Sequence, residues 1–499
     1  MAARPDHDVA VIGAGFSGIG AAIKLDDAGF GDYVVLEEGD GVGGAWHWNT
    51  YPGVAVDIPS FSYQFSFERS PSWSRVYAPG EVLKAYAEHC VDKYGLRSRI
   101  RLDTKVVGAD FDETSHLWRL RTAMGDELTA RFVIGATGVF SQPRAPDIRG
   151  VEDFAGAVMH TARWDHDMEL SGKRVAVIGT GASAVQVVPS IAPIVERQIV
   201  FQRTPIWCLP KLDARLGRGV RGLLRRRAIG LSARIASQAF VEATFPLPAH
   251  FRSIYPLAAA SERLGRRFLR DQVGDPKIRE KLTPRYSLGC KRPSFSNDYL
   301  RTFNRDNVDL ETAPIETITP GGVRTADGAE HAADVLVLAT GFKVFEAGNM
   351  PPFAVRGVGG VELEQWWDRN RYQAYEGVSV PGFPNLFTIL GPYGYNGSSY
   401  FNLIENQMRH IVRCLERARS TGSTSVEISA EANRRYFESM LARRHRQVFF
   451  QGSCASANSY YFDRHGDVPF RASTSLEAAW RSARFDLDDY RFETAPTAA

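Results

Sequence analysis

The sequence predicts an α/β protein made of two Rossmann-like dinucleotide-binding domains with a helical insertion, on three observations. Gly13-Ala14-Gly15-Phe16-Ser17-Gly18 follows the apolar run Val9-Ala10-Val11-Ile12. Gly179-Thr180-Gly181-Ala182-Ser183-Ala184 follows the nearly identical run Val175-Ala176-Val177-Ile178. Each half later carries the same small-residue turn, Ala136-Thr137-Gly138 in one and Ala339-Thr340-Gly341 in the other. Glycines at such turns let the backbone bend tightly and approach a pyrophosphate at a helix N-terminus.

In chain order, Val9–Ile12 reads as a strand, Ser17–Asp27 as a helix and Tyr33–Leu36 as the next strand, one βαβ unit. Its context makes Gly13, Gly15 and Gly18 cofactor-binding candidates; Gly179, Gly181 and Ser183 are their counterparts in the second half. The next strand of each half ends 24 residues after the first glycine, at Glu37 and at Arg203. A carboxylate there accepts hydrogen bonds from two ribose hydroxyls, whereas a guanidinium holds a 2′-phosphate. The first site therefore suits an unphosphorylated dinucleotide such as FAD, and the second suits NADPH. Measuring NADPH against NADH tests the Arg203 argument.

Short alternating runs such as Trp118–Thr122 and Phe132–Gly135 predict an antiparallel excursion that returns to the first sheet. Residues 211–282 break the repeat and look helical. They carry Arg215, Arg218, Arg221, Arg225, Arg226, Arg227 and Arg234 among apolar residues. The favoured reading is an insertion whose arginines are solvated or ion-paired; the other is contact with a membrane surface. Pro381-Gly382-Phe383-Pro384 opens a strand, and a long helical pattern runs from Leu403 to Arg419. This closing segment is expected to pack on the first half. The expected division is 1–145, first part of the FAD domain; 146–210, first part of the NADPH domain; 211–282, insertion; 283–379, second part of the NADPH domain; and 380–499, C-terminal part of the FAD domain.

With 499 residues the chain exceeds what one core usually holds. Its 44% hydrophobic and 23% charged content is ordinary for a globular protein, and a net charge of +3 argues against a nucleic-acid partner. Cys90, Cys208, Cys290, Cys414 and Cys454 form no CxxC pair. That reads as reduced thiols in a cytoplasmic enzyme and excludes the redox-active disulfide of flavin disulfide reductases. No apolar run reaches about 18 residues, so no integral membrane segment is expected. The 11 histidines show no metal-ligand spacing, and no metal is expected.

Between the glycine turns stands Phe154-Ala155-Gly156-Ala157-Val158-Met159-His160-Thr161-Ala162-Arg163-Trp164-Asp165. Phe154, Gly156, His160 and Trp164 match the FxGxxxHxxxW(P/D) fingerprint of type I Baeyer–Villiger monooxygenases, just ahead of the second turn. The chain resembles that family nearly end to end. Gly43-Gly44-Ala45-Trp46-His47-Trp48-Asn49 and Tyr51-Pro52-Gly53 resemble its flavin-side loop, making Gly44, Trp46 and Tyr63 cofactor-binding candidates. Phe201-Gln202-Arg203-Thr204-Pro205 resembles its NADP clasp. Lys291-Arg292-Pro293, followed by Phe303-Asn304-Arg305-Asp306-Asn307-Val308, resembles its catalytic-arginine segment. The stretch from Trp164 through Arg174 is similar to the aryl-ketone branch, which includes 4-hydroxyacetophenone monooxygenase.

The resemblance implies a cycle in which NADPH reduces FAD and O2 adds to give a C4a-peroxyflavin. That species attacks a ketone, which rearranges to an ester or lactone. Arg292 is the expected cation beside the adduct, since a guanidinium stays charged and presents several donors. Asp57 is its expected acidic partner, although Asp before Ile-Pro-Ser is equally a good turn residue. Ala55 stands where the family usually has an arginine, which bears on pocket charge and substrate class. Lys291 is expected to join Arg203 and Thr204 on the 2′-phosphate. Tyr460 falls where the family often has a tryptophan contacting NADP; a ring contact and a place in the core are both open. His160 is read as a hinge or packing residue ahead of a base, and Gly391–Asn396 as bordering the flavin ring. The rivals are a flavin monooxygenase oxidising nitrogen or sulfur, an NADPH-dependent flavin reductase or oxidase, and a non-catalytic flavin-binding protein.

Overall fold

A computed structural model describes residues 4–70, 73–252 and 257–495. Residues 253–256 of the expected insertion, and 1–3 and 496–499 of the expected outer segments, lie outside the described residues. The first sheet is built from β1 (His7–Ile12), β2 (Tyr33–Leu36), β3 (Ile100–Arg101), β4 (Val106–Asp112), β5 (Leu117–Thr122) and β6 (Glu127–Gly135). Its spatial order is β4-β5-β6-β1-β2-β3, and Ala354–Arg356 adds an edge strand beside β4. β1 runs parallel to β2 and to β6, with Ile12 opposite Leu36 and Gly135. Val9 to Ile12 are buried because helices and loops cover both faces of this parallel centre. β4, β5 and β6 form the antiparallel excursion. Long β6 pairs with β5 at its start and with Leu386–Thr388 at its end. The indole of buried Trp118 donates to the Pro384 carbonyl at 2.9 Å, tying the excursion to the returning chain.

The second sheet is parallel throughout. It contains β7 (Ala157–His160), β8 (Arg174–Ile178), β9 (Arg197–Phe201), β10 (Val308–Glu311) and β11 (Val335–Leu338), in the order β10-β9-β8-β11-β7. The chain rejoins the first sheet at Ala354–Arg356, in register with Gly108–Asp110. That strand lies ahead of residue 380, where the first half was expected to resume. The edge of β4 needs backbone partners, and three residues too short to read as a strand supply them.

The two halves share a backbone device. Gly13 donates its N–H to Leu36 at 2.7 Å and Gly179 donates its own to Phe201 at 3.2 Å. Each adopts positive φ, +107° and +116°. A Cβ would lie 2.8 Å from the Ala136 carbonyl oxygen at Gly13 and 2.4 Å from that of Ala339 at Gly179. The Ala-Thr-Gly turns therefore press directly on the glycine turns.

α1 (Phe16–Asp27) packs against the long helix Tyr400–Thr421, with Phe16, Ile19, Phe401, Ile404 and Met408 in one core. The long helix stops at Gly422, whose φ of +67° is the left-handed cap. The insertion is helical, at Arg218–Leu224, Arg227–Thr244, Pro246–His250, Leu257–Gln272 and Pro276–Lys281. Arg218, Arg225, Arg226 and Arg227 are exposed, and among the described residues no ion pair involves them. Arg234 instead donates to the Gln64 carbonyl at 2.8 Å. No helix among the described residues is long and apolar enough to cross a membrane.

A Cβ at Gly18 would lie 1.8 Å from the Gly13 carbonyl oxygen, whereas at Gly181 it would meet nothing within 4 Å. Gly18→Ala should therefore destabilise the fold by about 1–3 kcal/mol in denaturant titration, and Gly181→Ala should stay within about 0.5 kcal/mol of wild type.

Candidate active site

Both glycine turns open helices well suited to phosphate. α1 and α2 (Ala182–Ile191) have glycine N-caps, no capping side chain and no acid in the first turn. Their first N–H groups and the positive end of the helix dipole are left for an anion. Gly44 packs so closely on the first turn that its Cβ would lie 2.9 Å from Gly15 Cα. Glu37 is buried at the end of β2 and accepts from Ala14 N at 2.6 Å and Gly39 N at 3.0 Å. Burial raises its pKa against the pull of those two donors. Each carboxylate oxygen carries one recorded bond, leaving acceptor capacity for ribose hydroxyls. Beyond the loop, the Trp46 indole donates to the Tyr63 hydroxyl at 3.1 Å, with the rings edge to face at 5.8 Å.

At the end of β9, Arg203 is exposed. Thr180 Oγ1 donates to the Thr204 carbonyl at 2.8 Å, pinning the second turn to this strand end. The Asn458 amide, with its oxygen turned toward Arg203, accepts from Nε at 2.7 Å. Lys291 lies close by: burial and then repulsion from Arg203 push its pKa down to about 8. The three groups at 203, 291 and 458 come from separate parts of the chain. Asn458 has no motif of its own, so only its fold neighbours reveal it.

Arg292 and Asp57 meet as expected from the resemblance. Nε donates to Oδ2 at 2.5 Å and Nη2 to Oδ1 at 3.2 Å, a two-point pair joining the two halves of the chain. Their side chains are 22% and 32% exposed, so the pair is shielded yet reachable. Burial opposes the charge on Arg292, but Asp57 together with Tyr395 and Tyr461 outweighs it, and the pKa lies well above the ordinary value. The Phe245 ring lies 5.3 Å from the guanidinium carbon. Phe240, Thr244, Phe245 and Phe295 line the cleft at the pair. The insertion helix Arg227–Thr244 thus supplies part of this wall, a role its arginine-rich sequence does not suggest. Tyr395, from the expected flavin-bordering segment, is also a neighbour of Arg292, and burial pushes its pKa up to about 12.

Cys290 and Cys454 form a disulfide with Cα atoms 5.2 Å apart. This overturns the expectation of five reduced thiols and removes those two residues from the argument for a reducing compartment; Cys90, Cys208 and Cys414 are free and buried. A separation of 164 residues, without CxxC spacing, concealed the pair. It ties the segment before Lys291 and Arg292 to the one before Asn458 and Tyr460. Tyr460 is 41% exposed and meets Tyr461 edge to face at 4.5 Å, which removes the core reading.

The fingerprint lies at the junction. Gly156 is required by close approach, since its Cβ would sit 2.3 Å from the Asp334 carbonyl and 2.7 Å from the buried Phe154 ring. His160 Nδ1 accepts from Ala162 N at 3.0 Å, and Nε2 lies 3.2 Å from Thr340 Oγ1. Burial and Arg163 lower its pKa. Trp164 packs at the margin of the second core. Arg163 lies 3.9 Å over the Trp48 ring, and His166 Nε2 is 2.8 Å from Thr50 Oγ1. The segment therefore grips the loop of the first half. A neighbouring clasp is formed by Gln186 on α2, which accepts from the Tyr51 hydroxyl at 2.8 Å and donates to the Ala55 carbonyl at 2.8 Å. Ser183 is also a hydrogen-bonding neighbour of Tyr51, whose pKa burial pushes up to about 12. Gln186→Leu leaves these groups unpaired at the junction and should cost about 1–3 kcal/mol in chemical denaturation.

A sequence profile described as pyridine nucleotide-disulphide oxidoreductase matches residues 10–204. A Baeyer-Villiger monooxygenase of Streptomyces coelicolor is 37% identical over 497 residues, covering 97% of this chain and 92% of that protein. Phenazine N-monooxygenase PhzNO1 of Lysobacter antibioticus is 34% identical and covers 86% of each chain. The crystal structure of OTEMO in complex with FAD and NADP superposes with a TM-score of 0.87 at 29% identity, covering 98% of this chain and 100% of that one. None of these names carries the aryl-ketone branch. Their agreement with the paired glycine turns, the fingerprint and the Arg292–Asp57 pair leads to one conclusion: the chain belongs to the type I Baeyer–Villiger monooxygenase family.

Proposed function

We propose that the protein binds FAD at the first glycine turn and NADPH at the second, and inserts one oxygen atom of O2 beside a ketone carbonyl to give an ester or lactone. The observation that carries this reading is the Arg292–Asp57 pair in a cleft walled by aromatic and aliphatic side chains. FAD reduced by NADPH supplies the oxygen-activating chemistry. Gly13, Gly15 and the uncapped start of α1 would hold its pyrophosphate, Glu37 its ribose, and Gly44, Trp46 and Tyr63 the loop beside it. Gly179, Gly181 and Ser183 would hold the NADPH pyrophosphate, with Arg203, Thr204 and Lys291 at the 2′-phosphate and Tyr460 at the exposed rim. Arg292 acts as a fixed cation for negative charge developing on oxygen, and Asp57 orients it. Phe240, Phe245 and Phe295 keep water away from that charge and receive the apolar part of the ketone. With this assignment, residues 1–145, the strand Ala354–Arg356 and 380–499 make the FAD domain. Residues 146–210 and 283 to about 350 make the NADPH domain. A cytoplasmic location would supply it with NADPH.

Oxidation of a nitrogen or sulfur atom is the second reading, favoured by the 34% identity to a phenazine N-monooxygenase. Arg292→Ala separates the two. Ester formation from a ketone panel should fall at least about 100-fold, while FAD stays bound by its visible absorbance. Ketone oxidation at the parental rate would defeat the proposed role of Arg292.

The charge on Lys291 gives a pH test. Its pKa of about 8 means that it is protonated below that pH, and a phosphate partner favours the protonated form. NADP+ affinity should therefore be highest below pH 8 and fall by up to about tenfold per pH unit above it. NAD+ affinity should not follow this curve, and Lys291→Arg should flatten it. Identical pH profiles for the two cofactors, by calorimetric titration, would exclude Lys291 from the phosphate.

A further inference from the structure

The insertion begins with two helices, α3 (Arg218–Leu224) and α4 (Arg227–Thr244). An ordinary surface helix turns its apolar stripe to the core and its polar side chains to water. From Arg227 to Ala239, α4 does the reverse. Arg234 donates to the Gln64 carbonyl at 2.8 Å and to Asn402 Oδ1 at 3.2 Å. Ser237 Oγ lies 2.7 Å from Ser62 Oγ, and Gln238 Nε2 donates to Ser398 Oγ at 2.7 Å. The exposed positions Ala228, Leu231, Ser232, Ile235, Ala236 and Ala239 recur three and four residues apart, on one face. Leu231 is 48% and Ile235 61% exposed, so this outward face is aliphatic with a single hydroxyl.

Positive charge accompanies that face. Residues 214–241 contain seven arginines and no acid. Arg218, Arg225, Arg226 and Arg227 are exposed on α3 and at the corner where α4 begins, and Val220 and Leu223 of α3 are exposed as well. The corner is tight, because a Cβ at Gly230 would lie 2.7 Å from the Leu224 carbonyl oxygen. Acids beside the two helices are few and already bonded. Asp213 pairs with Arg75 at 2.7 Å, Glu405 accepts from Ser66 N and Oγ, each at 2.6 Å, and Glu242 accepts from Ser475 N and Oγ. Even with these three carboxylates set against them, seven arginines leave the surface strongly positive.

An aliphatic stripe beside unpaired cations fits a phase that is apolar within and anionic at its boundary. A second copy of this chain would bring the same arginines and be repelled. A nucleic acid would use the arginines and leave the stripe in water. A folded protein partner is gripped mainly through aromatic anchors and hydrogen bonds, and the outward face of α4 has no aromatic ring. We propose that α3 and α4 form a peripheral docking surface for an anionic lipid bilayer, with Leu231 and Ile235 entering its apolar margin and Arg218, Arg225, Arg226 and Arg227 meeting lipid phosphates. α4 also lines the Arg292–Asp57 cleft with Phe240 and Thr244, so one helix would separate lipid from that cleft.

The test sediments the FAD-loaded holoenzyme with vesicles of phosphatidylcholine, alone or mixed with phosphatidylglycerol. Binding should require phosphatidylglycerol and weaken as salt is raised. Arg226→Glu combined with Arg227→Glu should lower the partition coefficient at least about tenfold. Leu231→Ser combined with Ile235→Ser should lower it at least about fivefold at unchanged charge, which adsorption by charge alone would not show. All four side chains are exposed, and FAD absorbance with the melting temperature checks that each variant is folded. Wild-type protein that stays in the supernatant with anionic vesicles, or a bound fraction that either variant leaves unchanged, would overturn the proposal. Capture by immobilised polyglutamate without vesicle binding would overturn it in favour of an acidic protein partner.

Discussion

A carbonyl oxygen occupies the space where a side chain would begin at the two places that define this fold. The Ala136 and Ala339 carbonyls press on Gly13 and Gly179, and each Ala N–H is bonded to the end of the strand leading into that turn, at 2.9 Å in both halves. Only a residue without Cβ and tolerant of positive φ survives there. This contact aligns the ends of three strands with the start of a helix, so that uncapped N–H groups, Glu37 and Arg203 all face the same rims. The binding surfaces follow from that alignment rather than from special loops.

Duplication alone makes two separate sites; chemistry between two cofactors needs them opposed. The loop Trp46–Ala55 provides the opposition. Trp48 lies under Arg163, Thr50 meets His166, and Tyr51 and Ala55 close on Gln186. A Cβ at Gly53 would come within 2.2 Å of Ser190 Oγ, which shows how tightly the loop sits on α2. The fingerprint residues act in this junction: Gly156 and Phe154 by close packing, and His160 by fixing a turn with both ring nitrogens occupied. Burial and Arg163 lower the pKa of a histidine held that way.

Charge is distributed by the same logic. Arg292 comes from the second half and Asp57 from the first, and their two-point bond closes the cleft between them. The aromatic side chains beside them lower the local dielectric, which strengthens the attraction within that pair. In the second half, Arg203 and Lys291 repel one another. The disulfide between Cys290 and Cys454 holds both arrangements in one frame, since Lys291 and Arg292 follow one cysteine and Asn458 and Tyr460 the other.

Local spacing alone determined the strands around both glycine turns, the helix after each, the opposite charges at positions 37 and 203 and the long C-terminal helix, because these depend on neighbours within about 25 residues. The fingerprint and the Lys-Arg-Pro segment were legible as family patterns, though not their contacts. Tertiary structure decided what joins distant segments: Asn458 on Arg203, Gln186 on Tyr51, Phe245 beside Arg292, the Cys290–Cys454 bond and the edge strand Ala354–Arg356. Such pairs leave no periodic trace, since neither partner's sequence context changes with what it will meet. A backbone turn is selected residue by residue along the chain, whereas a contact across it exists only once the two sheets have closed on each other.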